Sequence, residues 1–239
     1  MSTYLQLCSK TRQNMRVSGA TISTVAAQTG ELKRVIDWVA DAWSDIQLRY
    51  IDWRWMRSRF TVNTVASTDT YAYGSVTDSR LNALIDRFSR WIILDDRGFS
   101  NITMFLTSSG VAGERYLIYL PWSDFRYIYK RGMQSTITGV PAHFTIDPDN
   151  NLVLGPNPND IYTVRGEYQM SPQVLSLDAD VPEMPAQFHD LIMYRTMEKI
   201  STDLVAPEKL ERAVKEGNRI MRALEQNQRP IIGIGGPLA

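Results

Sequence analysis

The stretch 29-TGELKRVIDWVADAWSDIQLRYIDWRWM-56 decides how the rest of the chain is read. Leu32, Val35, Ile36, Val39, Trp43 and Ile46 recur at spacings of three and four, which makes one continuous apolar stripe on a helix. Thr29 is a suitable N-cap, Glu31 and Asp37 lie toward the positive end of the helix dipole, and Arg49 lies toward the negative end. The spacing predicts a long amphipathic helix from Thr29 to Met56, running into Asp52-Trp53-Arg54-Trp55. Two tryptophans able to bury about 150–250 Å² each make Trp53 and Trp55 the expected structural anchor, locking this helix onto the first strands.

Upstream, Ser2 can cap a first helix carrying Leu5, Cys8, Arg12 and Met15, and residues 18–29 read as a linker. Downstream the period changes from helical to two. Phe60, Val62 and Thr64 alternate with polar residues and Tyr71-Ala-Tyr73 answers after a polar turn, which predicts a hairpin. Leu81, Leu84 and Ile85 suit a short helix over 79–88. Phe88 to Leu94, Ile102 to Leu106 and Tyr116 to Leu120 then read as strands, with a turn at Asp95-Asp-Arg-Gly98. Pro121 opens a short helix, proline being favoured in a first helical turn. His143 to Ile146 and Leu152 to Leu154 flank a tight reversal over 147–151, and Tyr162 to Tyr168 is a further strand.

From Pro185 the pattern is helical again. Phe188, Leu191, Ile192, Met197 and Ile200 populate one helix, and Pro207 restarts another with Leu210, Val214, Ile220 and Leu224. Residues 229–239 change composition altogether, with glycines and prolines that forbid a helix among apolar side chains. The expected fold class is α+β. The N- and C-terminal helices, 1–57 and 183–228, form a helical bundle, residues 58–182 a central β-rich layer, and 229–239 an extended tail.

Composition narrows the function classes. The 26 basic and 26 acidic side chains balance to a formal net charge of zero, which argues against a chain whose main task is to coat nucleic acid. The charge is unevenly placed: residues 1–60 hold nine basic and five acidic side chains, and residues 61–182 hold nine and thirteen. Such asymmetry suits self-association. Cys8 is the one cysteine, so an intrachain disulfide is impossible and the thiol reads as a small core residue. The N-terminal MSTYLQLCSKTRQ lacks the apolar segment of a signal peptide, and the sequence has no run of about 18 apolar residues to span a membrane. A chain made and kept in a cytoplasm, or released from one by lysis, is expected.

Reactive constellations are weak. His143 and His189 lie far apart and on different elements. Asp147, Asp149 and Asn151 have the spacing that opens a calcium loop, yet Leu152 stands where the loop needs glycine and Pro158 where it needs glutamate. Gly233-Ile-Gly-Gly236 has no following helix to hold a phosphate. The expectation is no catalytic residue, no metal ligand, no cofactor and no enzyme. Two other readings stay open beside a structural one: a module using the aromatic β-rich centre on a glycan, and a hydrolase using His143 or His189.

The order of motifs resembles the head-to-tail adaptor (connector) proteins of tailed bacteriophages. It runs from Tyr4-Leu5 through the helix opening at Thr29-Gly-Glu-Leu to Asp52-Trp53 and the strand at Phe60. It resumes at Ile85-Asp86-Arg87, Leu120-Pro-Trp-Ser-Asp-Phe125 and Gly139-Val-Pro141, and continues through Leu152 to Pro158, Val181-Pro-Glu-Met-Pro185 and His189. The resemblance implies a structural virion protein of the neck, a ring of typically twelve copies below the portal that joins it to a downstream tail protein. DNA would touch it only in transit through the lumen during ejection, and no membrane is involved. A ring of identical copies needs heterologous contacts whose rotation closes. The resemblance also implies a portal-binding C-terminal part, here Arg229, Pro230, Ile231, Ile232, Ile234 and Leu238. A solvated linker would carry serine, lysine or glutamate instead.

Overall fold

The computed structural model of the chain describes residues 1–18, 21–204 and 206–228. The fold is α+β. The described residues pack as two compact units, one of residues within 1–55 and 172–228, the other of 56–171.

In the first unit, helices α1 (Tyr4–Met15), α2 (Gly30–Leu48), α4 (Asp190–Asp203) and α5 (Pro207–Gln228) pack together. α4 touches each of the other three. Their shared core includes Met15, Val35, Met193, Met197, Ile200 and Ala213. The cap of α1 is Thr3 and not Ser2: Thr3 and Gln6 exchange side-chain-to-backbone bonds as a capping box, while the Ser2 N–H donates to His189 Nδ1 at 3.2 Å. Cys8 is fully buried, and burial with the nearby Asp178 carboxylate pushes its thiol up to about 12. At pH 8 it therefore holds on the order of a thousandfold less thiolate than a free cysteine. A thiol reagent is expected to label the native chain slowly and the guanidinium-unfolded chain at once; equal rates would overturn this placement.

α2 is shorter than its sequence predicts. Thr29 occupies the N-cap position without a side-chain cap bond, and the helix ends at Leu48 with Arg49 as C-cap. The apolar stripe ends at Ile46, and Leu48 and Ile51 are exposed, so nothing apolar on that face holds a further turn. A one-turn 3-10 helix, Arg54–Met56, precedes the first strand.

The second unit holds strands β1 (Arg57–Asn63), β2 (Thr70–Tyr71), β3 (Thr77–Asp78), β4 (Ala83–Leu84), β5 (Arg90–Ile92), β6 (Thr103–Leu106) and β7 (Arg115–Tyr116). It continues with β8 (Ile118–Tyr119), the helix α3 (Trp122–Tyr129), β9 (Thr138–Gly139), β10 (His143–Ile146), β11 (Leu152–Gly155), β12 (Asn157–Pro158) and β13 (Tyr162–Gln169). Among the described residues, the larger sheet runs β4-β3-β1-β13-β6-β7 with β5 also on β13, and a smaller sheet runs β2-β11-β10-β8. Residues 115–119 border both sheets: Leu117 N–H bonds Ile102 O on one side, and Ile118 N–H bonds Ala142 O on the other. One core lies within, including Phe60, Trp91, Leu117, Phe144, Leu154 and Tyr168.

Two expected elements differ here. β2 pairs with β11, Tyr71 opposite Leu152, and not with β1, whose partners are β13 and β3. Alternation identifies strands but not partners. The Tyr71 hydroxyl donates to Thr68 O at 2.6 Å and accepts from Val65 N–H at 3.1 Å, closing the intervening loop. The helix expected over 79–88 is instead the β3–β4 turn, because the Asp78 carboxylate takes the N–H groups of Arg80 and Leu81, a local competitor to helix, and Asn82 turns the chain at φ +51°.

Two glycines are sterically required. A Cβ on Gly166 would stand 2.7 Å from the ring of Phe60, its partner across β1–β13, and one on Gly155 would stand 2.7 Å from Tyr129 where α3 meets β11.

Candidate functional site

The reactive candidates are each hydrogen-bonded within their own unit. His189 is buried; its Nδ1 accepts from Ser2 and its Nε2 faces Met184 O at 3.1 Å. His143, in the other unit, meets the Tyr129 hydroxyl at 2.7 Å through Nδ1. Asp147 accepts the N–H groups of Asp149 and Asn151 and the Asn151 side-chain amide, at 2.8–2.9 Å, so it organises the β10–β11 reversal. Among the described residues no group of three or more His, Cys, Asp or Glu side chains is placed to hold a metal ion.

Trp53 is 2% exposed, and its indole N–H is shared between the carbonyls of Ile46 and Gln47 at 3.0 and 3.1 Å. These are last-turn carbonyls of α2, the groups a helix end leaves open. Trp55 stacks on Trp53 at 4.2 Å, and Tyr50 meets Trp53 edge-on at 5.0 Å. Gln47, itself buried, pairs its side-chain amide with both backbone groups of Gln173. The tail residues Arg229, Pro230, Ile231, Ile232, Ile234 and Leu238 lie outside the described residues.

Sequence reasoning missed two exposed apolar surfaces, both in the strand unit. The first is a groove of 590 Å³ between the turn after β5 and residues 116–119. Alternation sends Leu117 into the core and leaves Tyr116 and Ile118 outside, where they join Leu94 and Phe99, all exposed. Asp95 builds the turn by accepting the N–H groups of Phe99 and Arg97 and the Arg97 guanidinium. The Phe99 N–H contributes most to holding the Asp95 carboxyl below the usual range. Outside the groove's lining, Glu114 accepts from Thr103, the residue paired with Tyr116, and Asp96 lies 3.8 Å from Arg57.

The second surface is formed by α3 and the turn after it. Phe125 is buried and holds α3 to the unit, whereas Tyr127, Ile128, Ile137 and Val140 are exposed and Met133 is 86% exposed. The Arg131 guanidinium lies 5.1 Å from the Tyr127 ring centre, and Lys130 pairs with Asp69 at 2.6 Å. The exposed Arg126 and Arg131 make no ion pair among the described residues. Alternation in 116–118 was readable from sequence; the pairing of this segment on both edges, which decides its outward face, was not.

Exposed apolar surfaces of this kind suit contact with a partner. Among the described residues no helix is long and apolar enough to cross a membrane. No curated protein matches the chain. The family model described as SU10 adaptor protein matches residues 2–232, across both units. The chain belongs to the SU10 adaptor protein family and is a phage structural adaptor protein.

Proposed function

We propose that the chain is the subunit of a head-to-tail adaptor ring in the virion neck, joining the portal to a downstream tail protein around a lumen through which DNA leaves. The observation that carries this reading is the family match over residues 2–232. The exposed surfaces of the strand unit suit contacts of the kind a ring subunit needs, and the equal counts of basic and acidic side chains suit a lumen that lets DNA slide. Twelve copies are the expected number from the family's habit. Trp53 and Trp55 serve in this reading as the anchor that fixes the end of α2.

The portal-binding segment in this proposal is 229–239, through Arg229, Pro230, Ile231, Ile232, Ile234 and Leu238. An extended segment gains main-chain bonds at a sheet edge while alternate side chains fill pockets. Burying two isoleucines at about 1.5–3 kcal/mol each corresponds to at least about a hundredfold in affinity. Deleting residues 230–239 is expected to weaken binding to purified portal rings by about that factor, with circular dichroism unchanged. Equal affinity of the truncated and full chains would remove the tail from the interface.

A further inference from the structure

We propose that the free chain folds the segment after Gln228 back onto its own helical unit, where isoleucines of 231–234 cover the exposed end of α2. The segment lies outside the described residues, but its starting point and the surface beside that point lie within them. The proposal concerns the chain without its partners and does not rest on the portal reading of the same segment.

Three contacts fix the starting point. Gln228, the last residue of α5, accepts the Arg54 N–H at 3.2 Å through its side-chain oxygen. One turn earlier Glu225 accepts from the Tyr50 hydroxyl at 2.9 Å and lies 3.5 Å from the Arg49 guanidinium. α5 therefore delivers the chain beside residues 49–54. Leu48 and Ile51 stand 66% and 68% exposed there, and Leu48 lines a groove of 390 Å³ with Ile46 and Met221. Ile51 lies within about 11 Å of Arg54 along the chain, while the residues from Gln228 to Ile234 can span up to about 20 Å. Reach is sufficient.

The chemistry of the groove selects this occupant. Its charged residues are already paired: Asp45 with Lys199 at 2.7 Å, Glu198 with Arg195 at 2.8 Å, and Arg49 with Glu225. A charged ligand would have to break those pairs, whereas an uncharged apolar segment leaves them intact. Residues 230–239 carry no charged side chain and include Ile231, Ile232, Ile234 and Leu238. The residue before a proline is disfavoured in the helical region, so Pro230 works against continuing α5 along its axis, and Gly233, Gly235 and Gly236 tolerate a reversal. A short tether also gives the segment an effective concentration that a free partner lacks. Ordering it costs conformational entropy, so the cover is an equilibrium between docked and undocked forms.

Hydroxyl-radical labelling of full-length chains reads the exposure of these side chains directly. Leu48 and Ile51 should oxidise about threefold more slowly in wild type than in a chain ending at Arg229 or in Ile231→Ser/Ile232→Ser, the ratio for a segment docked about two-thirds of the time. Val214, 39% exposed and about 21 Å up α5 from Gln228, is the reference and should label equally in all three chains. Circular dichroism should match in all three, which separates uncovering from unfolding. Equal rates at Leu48 and Ile51 overturn the proposal. A difference that vanishes on dilution assigns the cover to the segment of another copy and overturns it as well. No portal is present in this experiment, so its failure leaves the portal reading standing, and equal portal affinity of truncated and full chains would leave the labelling difference standing.

Discussion

Replacing Trp53 with alanine is expected to lower the unfolding free energy of the helical unit by about 3–5 kcal/mol, a large share of what holds a domain together. The indole is 2% exposed, so truncation opens a cavity that the fixed end of α2 cannot collapse into. It also removes the donor shared by the Ile46 and Gln47 carbonyls and strips the stacking partner from Trp55. Trp53→Phe separates these effects, since it keeps a ring and loses the N–H. Its expected cost is closer to that of one hydrogen bond plus a small cavity, about 1–3 kcal/mol. Trp55 is only half-buried, and its indole N–H has no hydrogen-bond partner among the described residues, so Trp55→Ala should cost less than Trp53→Ala. Urea melts followed by circular dichroism at 222 nm decide the order. A Trp53→Ala midpoint equal to wild type would show that the pair is not an anchor.

How much of this was legible follows from which interactions are local. The apolar stripe from Leu32 to Ile46 is a local signal, and it became α2; the alternations at Phe60–Val62, Met104–Leu106 and Tyr162–Tyr168 are local too, and became β1, β6 and β13. Partner choice is not local. Tyr71 pairs with Leu152, 81 positions further along the chain, and nothing in Thr70-Tyr71 announces that. The segment 79–88 failed for a different reason: Leu81, Leu84 and Ile85 have helical spacing, but the carboxylate of Asp78 captures two backbone N–H groups first. The exposed apolar surfaces were hidden for the same topological reason. Tyr116 and Ile118 look like ordinary strand residues until residues 115–119 are seen to border two sheets, which turns them outward. The family match spans the same ground as the sequence resemblance, because order and spacing of motifs survive where single residues say little.

Asp78 is expected to be the most sensitive position of the strand unit, and its effect should depend on pH. The side chain is buried. One carboxylate oxygen accepts from Tyr168 at 2.5 Å and Ser58 at 2.8 Å, and the other from the N–H groups of Arg80 and Leu81 at 2.7 and 3.1 Å. Burial alone would raise the carboxyl, but the bonds from Tyr168, Ser58, Leu81 and Arg80 outweigh it and hold the group below its ordinary value. Asp78→Ala leaves two hydroxyls and two N–H groups without their acceptor, at an expected cost of about 3–5 kcal/mol, since hydrogen bonds to a charged group contribute about 1.5–3 kcal/mol each. Tyr168→Phe keeps the ring against Phe88 and Trp91 and should cost about 1.5–3 kcal/mol. In the unfolded chain an aspartate titrates near about 3.9. The unfolded state therefore binds the proton first, and the stability from Asp78 is complete above that pH and drains away as pH falls through the lower folded value. Tyr168 moves in the opposite sense: burial first, then the Asp78 bond, raise its phenol, so its contribution is present below about pH 10 and is lost as pH climbs beyond it. Asp78→Asn should flatten the acid limb below about pH 4 while leaving the slope of the denaturant transition unchanged. An acid limb identical to wild type in that variant would show that this carboxylate is not the group whose protonation loosens the strand unit.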